Sequence, residues 1–492
     1  MARAETFNND IYPNLKNAQR ASDVPSTAFD EKLDEQPSLS SEGSIRSDAQ
    51  EEIAEEKGER GDGEEHVTAA QEDGQREELE PVKSKQPSVN NVSSIPDGGL
   101  WAWLQVLGAF FLFFNSWGVI NTFGSYQAYY ETDLLPDSTP SAISWIGSIQ
   151  AFLLLLVGAV TGPVYDAGYF RSLLIVGSFL LVFGQMMLSL CHEYWQVLLA
   201  QAFCIGIGCG ALFIPSVAIL STYFTTKIAT AVGIAAAGSS LGGVIYPIMF
   251  HKLLPQVGFG WTTRIIGFMI LGTMLIPNAV MRVRVLPPKK RALLDLRAFC
   301  NPAYSLDCFG FFIGFMGLYM PFFYAQVYAL TDHLTNPNLA FYLLAIMNST
   351  SVFGRIIPNF LADKLGPFNV VIPCTLMSGV LCLCFVAVKS SAGIIVLMGF
   401  YGFFSGSFVS LPPTIIVHLS LDARDKIGTR LGQSFGVIAL GLLIGTPIGG
   451  TILDNSGFNS VWIFGGVLLL ASSVIIWGAR VCYKGWGLTT KA

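Results

Sequence analysis

Two charged residues fall where charge is expensive. Arg355 lies inside an apolar run of membrane length, 339–361, and Asp307 lies near the start of another, 304–328. A charge within a bilayer is costly, so it faces a bundle interior or a watery cavity rather than lipid. A guanidinium there can anchor a substrate carboxylate through paired hydrogen bonds. It can equally be half of a structural ion pair, or snorkel to the interface. Helices through the two runs would be antiparallel, which places Asp307 and Arg355 at similar depth. They are expected either to pair, the pair opening or titrating during a working cycle, or to leave Asp307 as an interfacial acid at a helix N-terminus, where the dipole favours it.

Uncharged polar residues form a second set. Asn115, Asn121, Gln150, Gln185, Gln201, Gln326, Asn348, Asn359 and Gln433 all lie in apolar runs, each as an interhelical hydrogen bond or a ligand contact. Tyr319, Phe322, Phe323, Tyr324 and Tyr328 flank Pro321. Proline removes a backbone donor and predicts a kink. A kinked aromatic helix suits a gate or a platform for a flat solute. His66, His192, His251, His333 and His418 read as tail and loop residues, so a histidine proton relay has no support. The nine cysteines lack metal-ligand spacing and read as packing residues. No phosphate loop, metal cluster or catalytic triad is present, and GIGCG at 206–210 reads as a helix-packing run. The expectation is a protein that is not an enzyme, with no cofactor, no metal and no nucleic-acid partner.

The elements that must position these residues are membrane helices. The chain of 492 residues is 52% hydrophobic and 13% charged, about half the charged fraction usual for a soluble domain. Residues 1–96 carry 22 Asp/Glu against 10 Lys/Arg, and the rest carries 13 against 19. The first segment is too polar to bury a core and is expected to be a disordered acidic tail. Beyond it, twelve runs approach the roughly 20 residues needed to cross a bilayer. They are about 101–125, 141–163, 172–190, 196–220, 228–250, 262–285, 304–328, 339–361, 370–388, 392–417, 430–453 and 459–480. The run 228–250 is rich in Gly, Ala and Ser, which suits close helix approach. Seventeen Lys/Arg fall on the side of the N-terminus and three on the other, which predicts both termini in the cytosol.

A faint repeat divides the chain. Gly162-Pro-Val-Tyr-Asp166-Ala-Gly168-Tyr-Phe-Arg171 follows the second run, and Ala362-Asp363-Lys364-Leu-Gly366 follows the eighth. Repeated halves are a common construction of secondary transporters. Twelve runs, the six-plus-six split and the GxxxDxGxxR turn resemble the major facilitator superfamily. The stretch Asp97-Gly98-Gly99-Leu-Trp101-Ala-Trp103, abutting the first run, is similar to a signature of its monocarboxylate-porter branch. Tyr223–Gly242 resembles that branch's second signature. The extra residue in DGGLWAW and the acidic tail are similar to fungal members. Animal lactate carriers have a lysine where this chain has Asn121, and an aspartate four residues before the arginine, where this chain has Ser351. Lactate and proton coupling therefore do not follow from the resemblance.

The resemblance implies an all-α membrane protein of twelve transmembrane helices in two six-helix halves, working by alternating access. The expected organisation is a tail 1–96, a first half 97–285, a central loop 286–303, a second half 304–480 and a short cytosolic tail 481–492. The first and seventh helices line the cavity in this superfamily, which adds Asn115, Asn121, Gln326 and Tyr324 to Arg355 as the candidate substrate-binding set. Asp307, Asp166, Arg171 and Asp363 are the candidates for coupling or gating. The expected partners are a small organic solute, carboxylate in character, protons and the lipid bilayer, for a monomer or weak oligomer with or without an accessory protein. The expected location is the plasma membrane, with a vacuolar membrane as the alternative. Import of a nutrient carboxylate or riboflavin-like vitamin, export of a secondary metabolite, and nutrient sensing without transport all remain open.

Overall fold

The computed structural model describes residues 95–284, 294–487 and 492. The acidic tail and Lys289, Lys290 and Arg291 of the central loop lie outside the described residues. Among those described, twelve helical arms follow one another. They are α1 Leu100–Ile120, α2 Pro140–Asp166, α3 Phe170–Leu188, α4 Tyr194–Thr222, α5 228–257, α6 259–280, α7 Pro302–Thr331, α8 Pro337–Leu365, α9 Pro367–Cys384, α10 Ser391–Leu419, α11 427–456 and α12 458–484.

α5 and α6 run on as one helical stretch of 53 residues, and α11 and α12 as one of 58. At 1.5 Å per residue each would be about 80 Å long or more, over twice a bilayer core of about 30 Å. Each is broken by a glycine in a left-handed conformation, Gly258 at φ 72° and Gly457 at φ 74°. Only glycine adopts that geometry without a Cβ clash. The chain reverses there. The rings of Phe250 and Phe259 lie 6.4 Å apart across the first break. Both arms of each hairpin then pack on one helix. Gly238 of α5 and Met281 after α6 both meet α1, and Gly441 of α11 and Ile476 of α12 both meet α7.

Sequence chemistry explains the helix starts. Thr139, Asn301, Asn336 and Ser390 accept hydrogen bonds from amides of the first turns of α2, α7, α8 and α10. Proline opens α2, α7 and α8, where its missing N–H costs nothing. α7 breaks at Tyr319, two residues before Pro321, in accord with the expected kink. α5 and α11 are different. Their N-cap residues, Lys227 and Lys426, offer no side-chain cap.

Close packing follows the small residues. A Cβ added to Gly238 would lie 2.1 Å from the Phe110 carbonyl oxygen, and one added to Gly441 would lie 2.3 Å from that of Phe312. These two contacts are the same joint in the two halves. One expectation fails. His251 lies within α5 and His418 in the last turn of α10, because both helices run past the ends of their apolar stretches.

Candidate functional site

The side of the bundle on which α1 begins, the N-side, is closed by four aspartates. Asp363, at the end of α8, accepts hydrogen bonds from the amides of Ala229 and Thr230 at 2.9 and 2.8 Å, and from the Thr230 hydroxyl. Asp166, at the end of α2, accepts from the amide and hydroxyl of Thr429 at 3.0 and 3.1 Å. These are the first turns of α5 and α11, whose own N-cap lysines offer no side-chain cap. An acid at a helix N-terminus satisfies orphan amides and faces the positive end of the dipole. Each bond set joins opposite halves of the chain: α8 holds α5, and α2 holds α11. Arg171, in the first turn of α3, joins none of these bonds and donates to the Asn278 carbonyl of α6.

The other two aspartates precede α1 and α7. Asp97 accepts from the amides of Thr225 and Thr226 at 2.8 and 3.0 Å, and from the Thr226 hydroxyl. Its own amide donates to the Tyr223 carbonyl. Trp103 packs edge-on to Phe224 at 5.2 Å, and Gly99 takes a left-handed φ of 87° where the chain turns into α1. The two signature stretches thus bind each other. Burial pushes the Asp97 carboxyl up, but the Thr226 hydroxyl and the amides of Thr225, Thr226 and Lys227 outweigh it and hold the group below the usual carboxylate range. Asp295, 198 residues on, bonds Arg430 at 3.1 Å and Lys426 at 3.2 Å, and Asp422 takes the other side of Arg430 at 2.8 Å. The repeat Asp97/Asp295 matches Asp166/Asp363 and Thr230/Thr429, with offsets of 198, 197 and 199. Sequence reading found one of these three pairs; the others lie one and two residues off its offset of 197 and are not picked out by it.

Arg355 sits at the centre, 5% exposed. Its Nη1 donates to the Ser239 hydroxyl at 2.6 Å and the Ala236 carbonyl at 3.2 Å, and its Nε to Ser351 at 3.3 Å. Ser351 also accepts from Ser240 at 3.2 Å. All these partners are neutral, and Nη2 has no hydrogen bond among the described residues. Tyr319, at the break in α7, is near enough to feel the guanidinium's charge. Ala236 lines a small cavity between the halves, walled by Phe113 and Trp117 of α1, Phe213 of α4, Phe315 of α7, Ser410 of α10 and Phe435 of α11. Phe213 and Phe435 meet edge-to-face across the halves at 5.0 Å. Asn359 donates to Ser410 at 2.6 Å. Arg355 does not line this cavity itself; it reaches the cavity wall through Ala236, whose carbonyl it holds.

The remaining candidates separate. Asn115 is fully buried. It donates to the Phe111 carbonyl and accepts from Tyr246 at 2.6 Å and Thr273 at 3.0 Å, a satisfied knot of α1, α5 and α6 with its carbonyl oxygen already doubly used. Asn121 closes α1 and lies with Asn348 of α8 against Gly243 of α5. The Asn348 carbonyl oxygen is buried without a partner. Tyr324 donates to the Thr446 carbonyl at 3.1 Å, a tie from α7 to α11. Gln326 is half-buried on α7. Asp307 does not pair with Arg355. It is wholly buried with both oxygens unpartnered, while Arg355 turns to α5. Ser239 of the AAAGSS run and the Ala236 carbonyl take its Nη1 in place of an acid. Ser239 was not singled out from the sequence, because a serine in a small-residue run looks like packing.

Two repeated six-helix halves, latched at one side around a central cavity, define a secondary carrier. Residues 106–420 and 308–482 match the Major Facilitator Superfamily, and the chain belongs to that family. It is 52% identical over 383 residues to the MFS-type transporter dbaD of Emericella nidulans, covering 77% of this chain and 86% of that one. It is 38% identical over 404 residues to the aspyridones efflux protein apdF of the same organism, covering 82% of each. Among solved structures, the human organic anion transporter MFSD10 superposes with a TM-score of 0.61 at 13% identity, over 76% of this chain and 98% of that one. The E. coli fucose:proton symporter FucP gives 0.59 at 17%, with the same coverage. At these identities the structures share the fold.

Proposed function

We propose that this chain is a fungal exporter of an acidic, aromatic secondary metabolite, seated in the plasma membrane with its N-side to the cytosol. The observation that carries this reading is Arg355, a buried guanidinium with only neutral partners beside an aromatic cavity. Animal lactate carriers have an acid where Ser351 stands, and that acid would neutralise the arginine. Its absence leaves the charge for a solute carboxylate. The two bound signatures support a monocarboxylate-porter-like origin. The efflux named for apdF supports outward transport. The excess of Lys/Arg on the N-side supports the orientation.

Binding of hydrophobic aromatic carboxylates and their methyl esters to the purified full chain tests the reading. The acids should bind at least tenfold more tightly than their esters, and Arg355→Gln should erase that preference. Equal affinity for acid and ester in the wild type would contradict it.

A further inference from the structure

Asp307 is left without a role by the site described above. It lies in the second turn of α7, roughly 8 Å along the helix from Pro302 at 1.5 Å per residue. Its side chain is fully buried and neither oxygen has a hydrogen-bond partner. The residues around it are accounted for. On its own helix, Tyr304 donates to the Arg430 carbonyl at 2.7 Å, and Cys308 is buried beside it in sequence. On α11, the Arg430 guanidinium is taken by Asp295 and Asp422, and Lys426 by Asp295. On α12, Arg480 donates to Asn369 and to the carbonyls of Gly485 and Gly487. On α10, the His418 ring meets the Thr414 carbonyl at 2.8 Å. Arg297, in the turn before α7, is exposed. None of these bonds Asp307.

An ionised carboxylate in such a place would be an uncompensated charge in a dry interior. Interiors remove such charges by pairing them or by neutralising them with a proton. Pairing is absent here. The hydroxyl of Ser434 is a second buried group without a partner, one turn along α11 from Arg430, whose carbonyl Tyr304 holds. That stretch begins at Thr429, where Asp166 holds it. The part of α11 that meets the start of α7 and the N-side latch are therefore one short stretch of helix.

We propose that Asp307 is a proton-binding site, a carboxylic acid that keeps its proton while α11 covers it and exchanges it with the N-side when the Asp166–Thr429 latch opens. One proton binds one carboxylate oxygen, and no other bond changes. The ionised form needs water, so ionisation favours the open latch, and the proton favours the closed one. This site is separate from Arg355. The proton content of Asp307 does not depend on which solute is carried, but its exchange rests on opening of the latch.

Two measurements on the purified full chain in lipid nanodiscs test this without a transported solute. Infrared spectra at neutral pH should show the carbonyl stretch of a protonated carboxylic acid. The band should be absent in Asp307→Asn, displaced in Asp307→Glu and kept in Arg355→Gln. Asp307→Asn copies the shape of the neutral acid, so it should fold with an unchanged melting temperature. Coincident wild-type and Asp307→Asn spectra in that region would overturn the proton site. Hydrogen exchange around Thr429, corrected for the intrinsic effect of pH, should rise severalfold from neutral to alkaline pH in the wild type and stay flat in Asp307→Asn. The same rise in both would overturn the coupling to the latch. Failure of every aromatic acid to bind would leave the infrared band in place, so the two readings fail separately.

Discussion

At the scale of single residues, the proposed function turns on the charge state around Arg355. Ser351 lies one helical turn before it and accepts from its Nε. Residues four apart share a helix face, so Ser351→Asp places a carboxylate against the guanidinium. The internal acid would compete with a solute acid at far higher effective concentration. Affinity for acids should fall by about tenfold or more, where 1.4 kcal/mol is a factor of ten, while ester binding stays unchanged. Parallel titrations of the two ligands check this. Asp97 carries a different prediction. Its folded pKa lies below its unfolded one, so its stabilisation is present above the ordinary carboxylate range and is lost as pH falls through the folded value. The amides of Thr225 and Thr226 should be protected at neutral pH and lose protection in acid. Asp97→Ala should expose them at every pH. Hydrogen exchange of those amides reads both effects.

At the scale of elements, the N-side latch is two helix starts capped from the opposite half. α5 and α11 open on lysines that cannot cap them, and Asp363 and Asp166 supply what is missing. A charge-assisted hydrogen bond contributes about 1.5–3 kcal/mol. Removing either aspartate to alanine should shift the closed–open balance toward open by about tenfold or more. Cysteines placed near Thr230 and Thr429 should react with a membrane-impermeant thiol reagent correspondingly faster. Unchanged labelling in both variants would show that the caps do not hold the side closed. The repeat made the aspartates visible in the sequence, since Asp166 and Asp363 follow matching runs. Their partners were not visible, because Thr230 and Thr429 are ordinary threonines until folding brings a distant helix end to them. The paired signatures were likewise legible as two strings and illegible as one contact. Asp97 and Thr226 are 129 residues apart, and nothing local in either says that they meet.

At the scale of the molecule, apolar run length was enough to place twelve helical arms, because bilayer thickness sets that length. The runs 228–250 and 262–285, and 430–453 and 459–480, are separate in the sequence, although α5 runs on into α6 and α11 into α12 in the fold. Gly258 and Gly457 are where the backbone breaks between them, and neither stood out in the sequence. The site was less legible than the fold. Arg355 stood out because charge is rare in membrane runs, but its partners did not, since serine and backbone carbonyl groups carry no signal of their own. The expected Asp307–Arg355 pair failed for the same reason: similar depth on neighbouring helices does not fix which way a side chain turns. The proposed function joins these scales: an organic acid crosses from the N-side by way of Arg355. Inside-out vesicles from yeast producing the full chain test it most directly. Accumulation of aromatic carboxylates and of their methyl esters is followed in the wild type and in Arg355→Gln. The proposed function predicts accumulation of the acid only, reduced at least tenfold in Arg355→Gln. Equal accumulation of acid and ester, or full acid transport by Arg355→Gln, would contradict it.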